Sequence, residues 1–162
     1  MSILRLGVYI DEVEDVFREI EVKGEQKFID LHEAISKSFQ FKKKAQASFF
    51  VSNSRWQKLN EITLGHPSVF DKALNGLEIS IESILPGTAK HLVYFNDEFS
   101  EYSFLIQIEN PNVKEDGKKT YPAVVAAKGK LSQGFGGNIF TEDLGLNEDD
   151  LSAESGFGEE GE

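Results

Sequence analysis

The chain has 162 residues, 40% hydrophobic and 11% aromatic, which suits one domain with a real core that needs no covalent or metal staple. It contains no cysteine, which excludes a disulfide framework, a cysteine-ligated zinc or iron–sulfur site and a cysteine nucleophile. The net charge is −11, with 28 acids against 17 bases, and a chain this acidic is repelled by phosphate backbones and anionic membranes unless its charge is unevenly spread.

It is unevenly spread. Glu142, Asp143, Glu148, Asp149, Asp150, Glu154, Glu159, Glu160 and Glu162 stand in the last 22 residues with no base among them. Subtracting these nine from the 28 acids leaves 19 against 17 bases, so the first 140 residues are close to neutral. Leu144, Leu146, Leu151 and Phe157 are too few to offset the entropy of ordering the tail. The expectation is a folded domain over residues 1–140 and a disordered acidic tail over 141–162. The apolar opening is broken by Arg5 and Gly7, too short for a signal-peptide apolar region, and no run approaches the roughly 18 apolar residues of a membrane span. The expected compartment is the cytoplasm, with no membrane partner.

Along the chain, Leu4, Leu6, Val8 and Ile10 alternate as in a half-buried strand. Asp11 to Asp15 reads as a polar turn, and Val16, Ile20 and Val22 as a second strand, so residues 4–22 form a hairpin closed by Lys23 and Gly24. The period then changes: Phe28, Leu31, Ile35 and Phe39 fall on one helical stripe, with Asp30 and Glu33 early and Lys37 late, as the helix dipole favours. After Lys42 to Lys44, the segment Ala47 to Ser52 reads as a strand, Asn53 and Ser54 as a turn, and Trp56 to Leu64 as partly extended. Asn75 and Gly76 give a turn signal, and Leu77, Ile79 and Ile81 alternate behind it as a further strand up to Pro86. Leu92 to Phe95 and the alternation Tyr102, Phe104, Ile106, Ile108 predict a second hairpin, followed by a charged loop and a small-residue apolar segment over 121–127. The predicted fold is α+β, one main helix on a mostly antiparallel sheet of five to six strands.

The chemistry-bearing patterns mostly fail their own tests. His32 and Glu33 open a zincin-like pair, but the second histidine is wanted where Ser36 stands. His66 and His91 have no ligand partner nearby in sequence, and a site joining His32, His91 and Asp97 needs long-range convergence. Gly117 and Lys118 lack the upstream glycine and the following Ser or Thr of a phosphate loop, and Ser132 lacks a nucleophile elbow because Lys130 stands where glycine is required. No catalytic, metal or cofactor residue is assigned, no cofactor is expected, and the chain reads as non-enzymatic. Lys42, Lys43 and Lys44 form the basic cluster of the sequence; with Arg55 and Trp56 they are the candidate interaction residues, for a protein partner whose identity the sequence does not give or, alternatively, for nucleic acid.

The order of segments carries a resemblance. The hairpin ending Arg18-Glu19-Ile20-Glu21-Val22, the run Phe28 to Ile35 with Asp30-Leu31-His32 inside it, the phenylalanine-rich strand, Ile84-Leu85-Pro86-Gly87 and the strand entering Asn110 and Pro111 resemble the root-inducing plasmid ORF-3-like family. The resemblance covers about residues 3–137. It implies a compact α+β domain and, in some members, association with mobile elements, where the label is that of an insertion-element passenger with a resolvase-style name. It departs at Asn96 to Phe99, where many members carry an aspartate-glycine-aspartate turn followed by tryptophan and histidine, and at Leu131 to Gly137, which lacks the cysteines of several members. A serine recombinase needs a nucleophilic serine amid clustered arginines, and Arg5, Arg18 and Arg55 are far apart in sequence, so recombinase activity is not carried over.

Overall fold

The structure, a computed structural model, describes residues 3–41, 46–68 and 72–131. The chain divides into two compact units, Met1–Gly129 and Lys130–Glu162. All regular structure among the described residues belongs to the first; the expected boundary at residue 140 and the acidic tail lie outside the described residues.

Among the described residues the first unit is α+β, one α-helix on a sheet of eight strands in the order β5-β4-β3-β6-β7-β1-β2-β8. The strands are β1 Ile3–Ile10, β2 Val13–Lys23, β3 Ala47–Ser52, β4 Lys58–Thr63, β5 Leu74–Asn75, β6 His91–Asn96, β7 Phe104–Val113 and β8 Ala123–Lys128; the helix α1 is Phe28–Phe39. Every pairing is antiparallel except that of β4 with β5. The predicted class and single helix stand, while the strand count is higher than five to six. The additional strands are ones that periodicity hides: β5 has two residues, and β8, AVVAAK, carries small side chains without alternation.

One expected strand is absent. Leu77, Ile79 and Ile81 alternate in sequence, yet Leu77 is exposed, the segment is a turn, and Ile81 opens a 3-10 turn. The Asn75-Gly76 pair ends the parallel strand β5 instead of turning a hairpin. Gly76 N donates to Thr63 O at 2.7 Å, and a Cβ at residue 76 would lie 2.7 Å from that same oxygen, so only glycine lets the backbones meet.

The helix forms where the stripe predicts. Its N-terminus is closed by the Lys27 amide donating to Asp30 Oδ2 at 2.9 Å. At its other end Gln40 turns left-handed at φ 58°, and the Phe41 amide donates to Ser36 O at 3.0 Å. Phe28, Leu31, Ile35 and Phe39 are buried against the sheet face that carries Phe49, Tyr94 and Phe104. Rings there meet at 4.9 to 5.6 Å, within the range for tilted and edge-on aromatic contacts. Beneath them β1 lies between β7 and β2 and is buried along most of its length. No helix among the described residues is long and apolar enough to cross a membrane.

Candidate functional site

At one end of the sheet, α1 and the edge strand β8 border a groove of about 600 Å³. The two run in the same direction. Before α1, Gln26 Nε2 donates to Tyr121 O at 2.9 Å, just ahead of β8; near the end of α1, Ser38 O accepts from Arg18 Nε at 3.1 Å while Arg18 also holds the end of β8. Val124 and Ala127 both line the groove although they are three residues apart. The irregularity opposite Glu19 and Ile20 inserts one residue in β8, so Val124 pairs with Ile20 and Ala127 with Arg18, two positions on the same face of β2.

Arg18 forms the floor. It is 5% exposed, and its guanidinium donates to four main-chain carbonyls: Ser38 O, Phe17 O at 2.8 Å, Lys128 O at 2.9 Å and Gly129 O at 2.9 Å. Its carbon centre lies 4.2 Å from the centre of the Phe39 ring. No carboxylate pairs with it among the described residues, and burial lowers its pKa from the usual value. Gly129, at φ +78°, makes this cage feasible: a Cβ there would lie 2.4 Å from Asp15 O. Above the floor, Asp30 and Glu33 stand toward one end and Lys37 toward the other, with Ala34 between them.

Two polar clusters lie elsewhere. On the helix side, the Asn96 amide nitrogen donates to the Tyr94 hydroxyl at 3.1 Å, and His32 Nδ1 is 2.8 Å from the same oxygen. Burial lowers the His32 pKa and pushes Tyr94 up to about 12. A neutral His32 thus accepts the Tyr94 proton while Tyr94 accepts from Asn96 and from the Ser36 hydroxyl. On the opposite sheet face, the Ser48 hydroxyl donates to Glu61 Oε2 at 2.7 Å, Ser68 donates to Glu61 Oε1, and His66 Nε2 lies 3.2 Å from Ser48 Oγ and 3.7 Å from Glu61 Oε2. Burial alone would raise the Glu61 pKa; the bonds from Ser68 and Ser48 and the nearby imidazole outweigh it and hold the carboxyl below its usual range. One imidazole nitrogen faces both the serine and the carboxylate. A nucleophile relay needs the two ring nitrogens to face them separately, so this cluster ties the 64–68 turn to β3 and β4 rather than activating Ser48.

The residues singled out in the sequence are dispersed. Lys42, Lys43 and Lys44 lie outside the described residues. Arg55 and Trp56 sit in the β3–β4 turn, where Asn53 Oδ1 accepts the Arg55 and Gln57 amides at 2.9 and 3.1 Å. Trp56 adopts φ 63°, and its ring meets His91 edge-on at 4.7 Å. Gln46, next to the lysine run, pairs its carbonyl with the Asp97 amide at the other end of β3, so a strand length separates it from Arg55 and Trp56. His32 contacts Tyr94, whereas His91, three residues earlier on β6, points to the opposite sheet face. The His32, His91, Asp97 combination does not converge. No group of three metal-ligating side chains occurs among the described residues. Sequence reading missed the Arg18 cage and the Glu61 cluster. Arg18 shows one signal, an arginine at an apolar-face position of a strand; Glu61 shows none, since its partners come from residues 48, 66 and 68.

Fold and groove together define, among the described residues, an α+β domain in which a helix lies beside the edge strand of a largely antiparallel sheet. The chain belongs to the plasmid pRiA4b ORF-3-like protein family, whose model matches residues 2–141. It is similar to a solved structure titled as a protein of unknown function, MM3350, from Methanosarcina mazei Go1, with a TM-score of 0.65, 19% identity, and coverage of 77% of this chain and 68% of that one. At that identity the likeness concerns the fold. No curated protein matches the chain.

Proposed function

We propose that the folded unit is a non-enzymatic interaction module that takes an extended protein segment into the groove between α1 and β8. The observation that carries this reading is the juxtaposition of an edge strand, whose outer main-chain groups pair with no strand among the described residues, with a helix that leaves an open groove beside it. An added strand gains affinity from main-chain bonds to β8, and its alternate side chains enter the groove. The volume is within the range of roughly 300 to 1,000 Å³ over which proteins enclose ligands. Val124 is 45% exposed at the rim, so a large charged residue there blocks the groove without disturbing the core. Selection from a random peptide display library with the full chain as bait tests the reading. Enrichment of alternating extended sequences that a Val124→Arg bait loses supports it; identical selections from both baits refute it.

A second reading, a nucleic-acid accessory of a mobile element, is favoured by Arg55, Trp56, Lys58 and His91, which gather around the β3–β4 turn and the start of β6. Gel shift at low salt with Arg55→Ala and Trp56→Ala decides it: equal mobility of nucleic acid with and without the protein removes this alternative.

A further inference from the structure

We infer that the segment entering the α1–β8 groove carries an acidic side chain and, four residues later, a basic one, with an apolar residue between them. This rests on the groove reading above and adds the chemistry and direction of its occupant.

The groove orders its charges along a fixed axis. The end of the groove near the start of α1 carries Asp30 and Glu33; the end near its C-terminus carries Lys37 and the buried Arg18. Asp30 accepts the Lys27 amide without losing its charge, and Asp30, Glu33 and Lys37 have no ion-pair partner among the described residues. Arg18 is surrounded by carbonyl oxygens. They satisfy four of its five N–H groups and supply no negative charge. A buried cation without a counter-ion is costly, and the open side available to one is the groove.

The spacing follows from the elements. Asp30 and Lys37 are seven residues apart on the helix, about 10 Å at 1.5 Å per residue. An extended chain covers roughly 13 Å in four residues and turns every second side chain to the same face. Positions one and five then reach the two charged ends, and position three meets Ala34, Val124 and Ala127. β8 runs toward the Arg18 end, and its pairing with β2 is antiparallel, as are the long pairings of the sheet. A segment added in the same antiparallel sense begins at the Arg18 end, so its acid comes first and its base last.

The test uses the full chain and two fluorescein-labelled, end-blocked peptides of equal composition, Ser-Glu-Thr-Val-Thr-Lys-Ser and its charge-swapped form Ser-Lys-Thr-Val-Thr-Glu-Ser, read by anisotropy. The first is expected to bind roughly tenfold more tightly, the size that two partly screened charge pairs give, and the preference shrinks as salt is raised. In Glu33→Lys combined with Lys37→Glu, two exposed positions whose exchange leaves the core intact, the preference should fall or reverse. Equal binding of both peptides, lost in Val124→Arg, overturns the charge order and leaves the groove reading standing. Absence of binding by either at about 1 mM overturns both. Sedimentation of the chain alone adds a third arm: a dimer dissolved by Val124→Arg would make a second copy the occupant and overturn the peptide assignment.

Discussion

Replacing Tyr94 with phenylalanine removes one oxygen from the centre of the unit. Tyr94 is fully buried, and its hydroxyl joins Asn96 to His32 at 3.1 and 2.8 Å and also bonds the Ser36 side chain. Asn96 is 2% exposed, and its side-chain oxygen is already fixed by the Glu98 amide at 2.9 Å, so its amide nitrogen cannot swing out to find water. His32 is half-buried and can recover part of its lost bond from solvent. An orphaned buried donor costs about 1–3 kcal/mol and a partly hydrated partner less, so Tyr94→Phe should cost about 2 kcal/mol. For a folded unit of this size that is roughly 7 °C in Tm. The effect carries a pH signature. Burial keeps the His32 pKa below 6.5, so the unfolded chain binds the extra proton first as pH falls, and wild-type stability is fully present above about 6.5 and declines below it. The Tyr94 hydroxyl gives its proton to neutral His32, so the cost of Tyr94→Phe is largest above pH 6.5 and shrinks below. Thermal melts of both proteins from pH 8 to pH 5 read this. A variant melting within about 1 °C of wild type at pH 8 would refute the reasoning, because the Asn96 amide would then have found another acceptor.

Three further outcomes follow from the same geometry. Glu61 titrates below its usual range in the folded state, so its contribution is present above the ordinary carboxylate pKa near 4.5 and is lost as pH falls; Glu61→Gln should be less stable at pH 7 but show a shallower acid limb in chemical denaturation. Gly129→Ala forces a Cβ against Asp15 O at a left-handed backbone position and should cost about 1–3 kcal/mol in urea unfolding, and unchanged stability would contradict the Arg18 cage. Glu21 is 1% exposed and holds Arg5 at 2.9 Å and Lys119 at 3.2 Å. Both cations can hydrate when the carboxylate is lost, so Glu21→Gln should cost only about 1–2 kcal/mol, with faster proteolysis in the Lys114 to Lys119 loop as the sign that Lys119 has let go.

What the sequence made legible depended on which residues carry period. The hairpin of β1 and β2 and the helix α1 show because Leu4, Leu6, Val8 and Ile10, and then Phe28, Leu31, Ile35 and Phe39, each bury one face of an element. The groove did not show. β8 is an edge strand with Val124 and Ala127 exposed and one residue inserted, so neither alternation nor hydrophobicity marks it. Conversely Leu77, Ile79 and Ile81 alternate without being a strand, because the Gly76 contact with Thr63 sets that path. The site is legible least of all. Arg18 can be read as a strand arginine, but the four carbonyls around it come from residues 17, 38, 128 and 129, which only the placement of α1 and β8 brings together.

The central claim is that β8 is the edge a partner pairs with. Hydrogen exchange of the full chain, with and without a peptide recovered from the display selection, measures this at the main chain itself. The account predicts slowed exchange over Ala123–Lys128 together with the facing turns of α1, and no change at Arg55 and Trp56. Protection confined to the β3–β4 turn, with β8 exchanging as fast as in the free protein, would contradict it.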